Sequence, residues 1–177
     1  MTIGSAPSRD VITGNRVPDP TSSLWQTWFN LVKRKINDLY YKSACHVNKN
    51  GTSQNINANT ETLLTWAVAD YDTQGEVDLD NEKWTAAKDG LYLVSIQVSF
   101  AVAASNDRLY LYVYENTTNT IVVRNSGVSG DATLLSTFQT QLEKDDYLQF
   151  KVKNVDNNDT IRGSNSQTFF TVYRLGD

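Results

Sequence analysis

The hydrophobic rhythm of the chain changes twice. From Leu24 to Tyr40 there is neither glycine nor proline, and Trp25, Phe29, Val32, Ile36 and Leu39 follow one another at steps of four, three, four and three. Steps of that kind are the a/d spacing of a coiled-coil seam, so residues 21–43 read as an amphipathic helix. Trp28 and Leu31 widen the stripe, and Lys33, Arg34 and Lys35 take the outer face. Thr21, Ser22 or Ser23 can cap the helix just after Pro20. Two arrangements bury such a stripe: packing on the head of the same chain, or a self-associating collar. The spacing favours the collar, with Trp25, Phe29, Val32, Ile36 and Leu39 as the expected interface.

From Ala44 the period becomes two. In the long run Leu91–Val102, Tyr92, Val94, Ile96, Val98 and Phe100 fall on one face, which is apolar throughout and should meet an opposing sheet. After a turn at Ser105-Asn106-Asp107, Leu109, Leu111 and Val113 share one face, and Tyr110, Tyr112 and Tyr114 share the other. Further β-rich runs follow at Thr120–Arg124, Thr133–Leu142, Tyr147–Val152 and Thr168–Leu175, with turn clusters such as Asn125-Ser126-Gly127 between them. About eight to ten strands with no helical pattern among them argue for an antiparallel sandwich or barrel over residues 44–177. A sandwich buries one face of a strand, so the tyrosine face is expected to find cover at a trimer interface of the head.

Residues 1–20 hold all three prolines, Pro7, Pro18 and Pro20, and few large apolar side chains. This extended arm cannot build a core and should order only against a partner.

Composition narrows the function. The chain has 177 residues and a net charge of -4, which gives no electrostatic reason to expect nucleic acid as partner. No stretch reaches the ~18 apolar residues of a membrane span, and the opening residues lack the basic and apolar regions of a secretory leader. No membrane insertion is expected, and the chain reads as made in a cytosol. Cys45 is the sole cysteine and His46 the sole histidine. On a strand they would point to opposite faces, so a thiol–imidazole pair is not expected and Cys45 reads as a buried small hydrophobe. There is no metalloprotease helix motif, no paired-cysteine motif, no phosphate loop and no nucleophile elbow. No catalytic residue and no cofactor are assigned. Asp70, Asp72, Glu76, Asp78 and Asp80 could offer oxygens to a hard cation. Asp78 and Asp80 alternate with Val77 and Leu79, however, which reads as a solvated strand face, and no metal site is assigned. Trp66 and Trp84 are expected in the core.

Three passages carry a family resemblance. Trp84-Thr85-Ala86-Ala87-Lys88-Asp89-Gly90-Leu91-Tyr92 resembles the F-x-A-x-x-x-G-x-Y passage of the C1q/tumour-necrosis-factor jelly-roll superfamily, with Trp84 in place of the usual Phe. Leu142-Glu143-Lys144-Asp145-Asp146-Tyr147-Leu148 is similar to its L-x-x-G-D-x-V turn, with Asp145 where glycine is typical. Ser166–Leu175 resembles its terminal S-x-F-x-G-x-L strand but lacks the glycine. Near the start, Gly14-Asn15-Arg16-Val17-Pro18 and Trp25-Gln26-Thr27-Trp28-Phe29-Asn30-Leu31 are similar to the openings of small bacteriophage virion proteins that carry C1q-like heads on short helical stems. No collagen Gly-X-Y stretch is present.

The resemblance implies an all-β antiparallel jelly-roll sandwich preceded by an extended arm and one short helix, and a homotrimer. It implies a non-enzymatic virion protein, assembled in the host cytoplasm. Residues 1–20 would anchor it to other virion proteins, residues 21–43 would form the stem, and the head at 44–177 would meet a host-surface glycan or protein. The alternative is a capsid, neck or head-fibre decoration that stabilises the particle.

Overall fold

The structure, a computed structural model, describes residues 23–40, 42–101, 107–128 and 130–176. The chain divides into two units between residues 41 and 42. The expected arm at 1–20 and the capping candidates Thr21 and Ser22 lie outside the described residues.

In the first unit, helix α1 spans Ser23–Tyr40. Its first turn is fastened by the Thr27 hydroxyl, which donates to the Ser23 carbonyl at 2.9 Å. Trp25 and Phe29, four residues apart, stack with ring centroids 5.0 Å apart and 10° between planes, as neighbours one turn apart on a helix surface should.

The second unit is a sandwich of thirteen strands among the described residues: β1 Ala44–Asn48, β2 Gln54–Ile56, β3 Thr62–Leu63, β4 Val68–Asp72, β5 Val77–Asp78, β6 Lys83–Thr85, β7 Gly90–Ala101, β8 Asp107–Glu115, β9 Thr118–Val128, β10 Asp131–Leu142, β11 Tyr147–Asn154, β12 Asp159–Ile161 and β13 Phe169–Gly176. One sheet runs β2-β12-β7-β13-β1-β4, with β10 along the other edge of β7. The second runs β5-β6-β11-β8-β9, with β3 against β11. Every pairing is antiparallel. Thirteen exceeds the eight to ten expected, because β2, β6 and β12, three residues each, are too short to show a period.

Strand alternation builds the core as the sequence demanded. Tyr92, Val94, Ile96, Val98 and Phe100 of β7 are fully buried against Leu109, Leu111 and Val113 of β8 and Leu148, Phe150 and Val152 of β11. Trp84 and Trp66 are both buried. Trp84 meets Tyr92 edge-on at 5.1 Å, and Trp66 meets Phe170 edge-on at 4.9 Å. Each such aromatic pair adds about 0.5–1.5 kcal/mol beyond the area it buries.

Two family positions acquire physical reasons. Gly90 opens β7 where an added Cβ would stand 2.5 Å from the Gly176 carbonyl oxygen and 2.6 Å from Arg174 Nε, so no side chain fits. Asp145, at the usual glycine position, has φ 74. The turn needs left-handed backbone there, which glycine adopts freely and aspartate tolerates.

Two expectations about loops need correction. Asn125-Ser126-Gly127 is not a turn between strands but lies inside β9, opposite Leu109 and Arg108. The register shifts at Asp107/Arg108, so Gly127 falls in a bulge, which is where a glycine inside a strand belongs. The run Glu76–Asp80 is not an extended solvated strand. Only Val77–Asp78 pairs, and Glu76 is buried.

Candidate functional site

The core uses one face of each long strand and leaves two broad outward faces. On the first sheet that face crosses β10, β7 and β13. Leu135 lies opposite Gln97, which lies opposite Phe169, and Leu93 lies opposite Tyr173. None of the outward positions at 133–141, 91–99 and 169–175 carries a charge. Hydroxyls close on one another instead: Ser95 on Thr137 at 2.9 Å and Ser99 on Thr133 at 2.8 Å. Leu135 is 57% exposed and Leu175 51%, with Tyr173 and Tyr71 exposed beside them. The Tyr71 and Tyr173 hydroxyls hydrogen-bond each other. Burial and that hydrogen bond hold the Tyr71 phenol up at about 12.

The second sheet faces outward with Tyr110, Tyr112 and Tyr114, all half-buried within a single chain. The rings of Tyr110 and Tyr112 are parallel within 6°, with centroids 5.8 Å apart. Tyr114 donates its hydroxyl hydrogen to Glu61 at 2.9 Å, which raises the phenol's pKa; burial raises that of Tyr112. Cations complete the face. Lys151 Nζ stands 4.1 Å from the Tyr114 ring centre, and the Arg124 guanidinium 5.6 Å from that of Tyr110.

On α1, the seam residues Phe29 and Ile36 are exposed, while Trp25 and Val32 are half-buried. The side chain of Leu39 lies outside the described part.

His46 has a partner the sequence did not reveal. Strand β4 pairs with β1 and shifts register beside His46, which brings Asp70 Oδ2 to 2.8 Å from His46 Nδ1. Asn48 Nδ2 donates to the same oxygen at 2.9 Å, and the Tyr71 and Phe169 rings flank the imidazole at 6.1 and 5.3 Å. Among the described residues no hydroxyl is bonded to His46 Nε2. Cys45 is buried on the opposite face, and burial pushes its thiol well above the ordinary range.

The acidic residues are used internally. Asp72 accepts from the backbone N–H groups of Gln74, Glu76 and Val77 at 2.9–3.3 Å. Glu76 accepts from the Ser43 hydroxyl and from the Ala87 N–H at 3.0 Å; burial nonetheless raises its pKa. Asp78 accepts from Asn81, which lowers its pKa. Among the described residues no three metal-binding side chains converge. Nor is any described helix long and apolar enough to cross a membrane.

Two buried polar groups escaped sequence reasoning. Lys49, 1% exposed, donates to Gln54 Oε1 at 3.0 Å, to the Thr65 carbonyl at 2.7 Å and to Thr65 Oγ1 at 3.1 Å. Its three donors are satisfied, yet burial lowers its pKa from 10.5 to about 8. At the β11–β12 turn, buried Asn154 donates to Asp107 at 3.0 Å, and burial raises the pKa of Asp159 beside it. Polar tips such as 156–159 read as solvated turns, and nothing in their order betrays that Asn154 and Asp159 turn inward.

No protein-family model and no curated protein matches the sequence. Among solved structures, murine APRIL at pH 5.0 superposes with a TM-score of 0.58 at 15% identity, over 76% of this chain and 99% of that one. Eiger TNF from S. frugiperda gives 0.58 at 14% identity, over 77% and 94%. The head is a tumour-necrosis-factor-like jelly roll. Identities this low establish the jelly roll alone.

Proposed function

We propose that this chain is a non-enzymatic, homotrimeric binding head of a virion appendage, assembled in the host cytoplasm and anchored through residues 1–20. The uncharged outward face of β10, β7 and β13 carries the reading. Interface centres are depleted of charge and enriched in Tyr, Phe and Met, whereas solvated sheet faces carry ions. Leu91, Leu93, Leu135, Tyr173 and Leu175 form such a centre, and β10 is a long strand with an open edge that a second copy would cover. The jelly-roll fold and the resemblance of the head motifs to the C1q/tumour-necrosis-factor superfamily support three copies rather than two. The exposed seam at Phe29 and Ile36 supports a self-associating helical collar. The resemblance of Gly14–Pro18 and Trp25–Leu31 to phage virion openings supports the virion location.

On this reading the threefold contact of the head lies on the first sheet rather than at Tyr110, Tyr112 and Tyr114, which are left free to meet a partner at the host surface. Light scattering tests the assembly: a solution mass about three times the 19.9 kDa chain is expected, and a monomer at micromolar concentration overturns it. A chain lacking residues 1–20 should remain trimeric and be absent from purified particles; its incorporation would overturn the anchor.

A further inference from the structure

Three cations of an acidic chain flank its tyrosine face. The net charge is -4, yet Lys151 lies opposite Tyr112, Lys153 opposite Tyr110, and Arg124 opposite Tyr110 from the other side. None of the three forms an ion pair with a carboxylate among the described residues. Glu61 is held by the Tyr114 hydroxyl. The tyrosines run along β8 for about 13 Å, at roughly 3.3 Å per residue, which is room for about two to three linked sugar rings.

We infer that this face binds an acidic polysaccharide built from uronic-acid sugars, lying along β8; the inference rests on the binding-head reading. A pyranose ring offers an apolar C–H face to the parallel rings of Tyr110 and Tyr112, and its carboxylates reach Lys151, Lys153 and Arg124. Tyrosines give large contact area at low cost in rotamer freedom, and cations already seated over rings need little further ordering.

Other occupants fit worse. A second copy would bury three cations without counter-charge, which costs several kcal/mol per ion. Duplex nucleic acid carries one charge per ~1.7 Å and would be repelled by the net negative chain beyond the patch. A neutral glycan would leave the cations unused.

Affinity electrophoresis of the full chain tests the site, in gels containing alginate, polygalacturonate or hyaluronate. Dextran, methyl-esterified polygalacturonate and single-stranded DNA are the controls. At least one acidic polysaccharide should retard the protein, less so as salt rises. Tyr110→Ala/Tyr112→Ala should weaken that binding about tenfold or more. Lys151→Gln/Lys153→Gln, which leaves the Tyr110–Tyr112 ring stack in place, should do the same. Both variants should keep the wild-type mass and remain folded by circular dichroism.

Absence of retardation by all three polymers overturns the inference, as does equal retardation by dextran or tighter binding of DNA. Dissociation of the trimer by Tyr110→Ala/Tyr112→Ala also overturns it and returns the tyrosines to the self-interface expected from sequence. A trimer that binds no acidic glycan sinks this inference alone. A monomer that binds one sinks the trimer alone.

Discussion

On β7 the side chains that miss the core are Leu91, Leu93, Ser95, Gln97 and Ser99; on β8 they are Arg108, Tyr110, Tyr112 and Tyr114. Both strands obey the same alternation, and both leave bulky groups outside. The surroundings differ. Around β7 the neighbours are Thr, Gln, Leu, Phe and Tyr, none charged, while around β8 Lys151, Lys153 and Arg124 stand among Gln149, Val122 and Asn119. Exposed apolar area alone therefore does not separate the face proposed for self-association from the face proposed for a glycan. The charge of the next strand over decides whether cover by a like surface or by a polar ligand costs less.

The sharpest way to break the contrast is to move charge across it. Leu135→Glu combined with Tyr173→Glu should convert the proposed trimer to monomer in size-exclusion chromatography with light scattering, because it places two carboxylates in the proposed uncharged contact. The matched change Tyr110→Ala/Tyr112→Ala should leave the mass unaltered. Equal dissociation by both pairs would erase the distinction between the faces.

Next in size is the core that both faces share. Trp84→Ala should cost about 3–5 kcal/mol in urea unfolding, since a fully buried indole leaves a cavity its neighbours cannot fill. Glycan binding and trimer mass should then fail together on warming. If one fails well before the other, the two sheets are less tightly coupled than a single core implies.

Lys49 sharpens the comparison by treating a cation in the opposite way from the tyrosine face. Its pKa is lowered from 10.5 to about 8, so between those values the unfolded chain holds a proton that the folded chain has released. Its contribution to stability must therefore improve as pH rises through that window. Cys45 and Tyr92, whose pKa values burial raises, act in the reverse direction at the alkaline end. The difference between wild type and Lys49→Met isolates the lysine. From pH 7 to pH 10 it should move toward wild type by an amount on the order of 2 kcal/mol in urea unfolding.

The smallest expected effect is at Asp145. With φ 74 it occupies glycine's region, and Asp145→Gly should raise stability by about 0.5–1 kcal/mol without touching either face. A loss of stability would mean that the aspartate side chain matters to the turn.

Local order was legible wherever one strand's own alternation decided the outcome: Tyr92 to Phe100, Leu109 to Val113, Trp84. The helix α1 was legible in the same way from its steps of four and three. What sequence hid depends on which strand lies beside which. The cations that distinguish the tyrosine face come from β9 and β11, and Asp70 reaches His46 only because β4 shifts register against β1. Glu76 and Lys49 look like solvated charges in a linear reading. They are buried because Ser43, Ala87, Gln54 and Thr65 close around them in space.

Strand β1 lies between β13 and β4, and Ala44 is paired with Tyr173. On a ribosome adding roughly 5–20 residues per second, β1 waits on the order of ten seconds before its β13 partner is made. Until then β1 has β4 on one side and an unfilled ladder on the other, and β7 likewise lacks β13. The last strand closes the middle of the sheet rather than extending its rim. The outward face of β10, β7 and β13 is therefore complete only once β13 has been made. Association through that face, as proposed, therefore waits on β13, and a product truncated before β13 lacks the surface that a growing trimer would need.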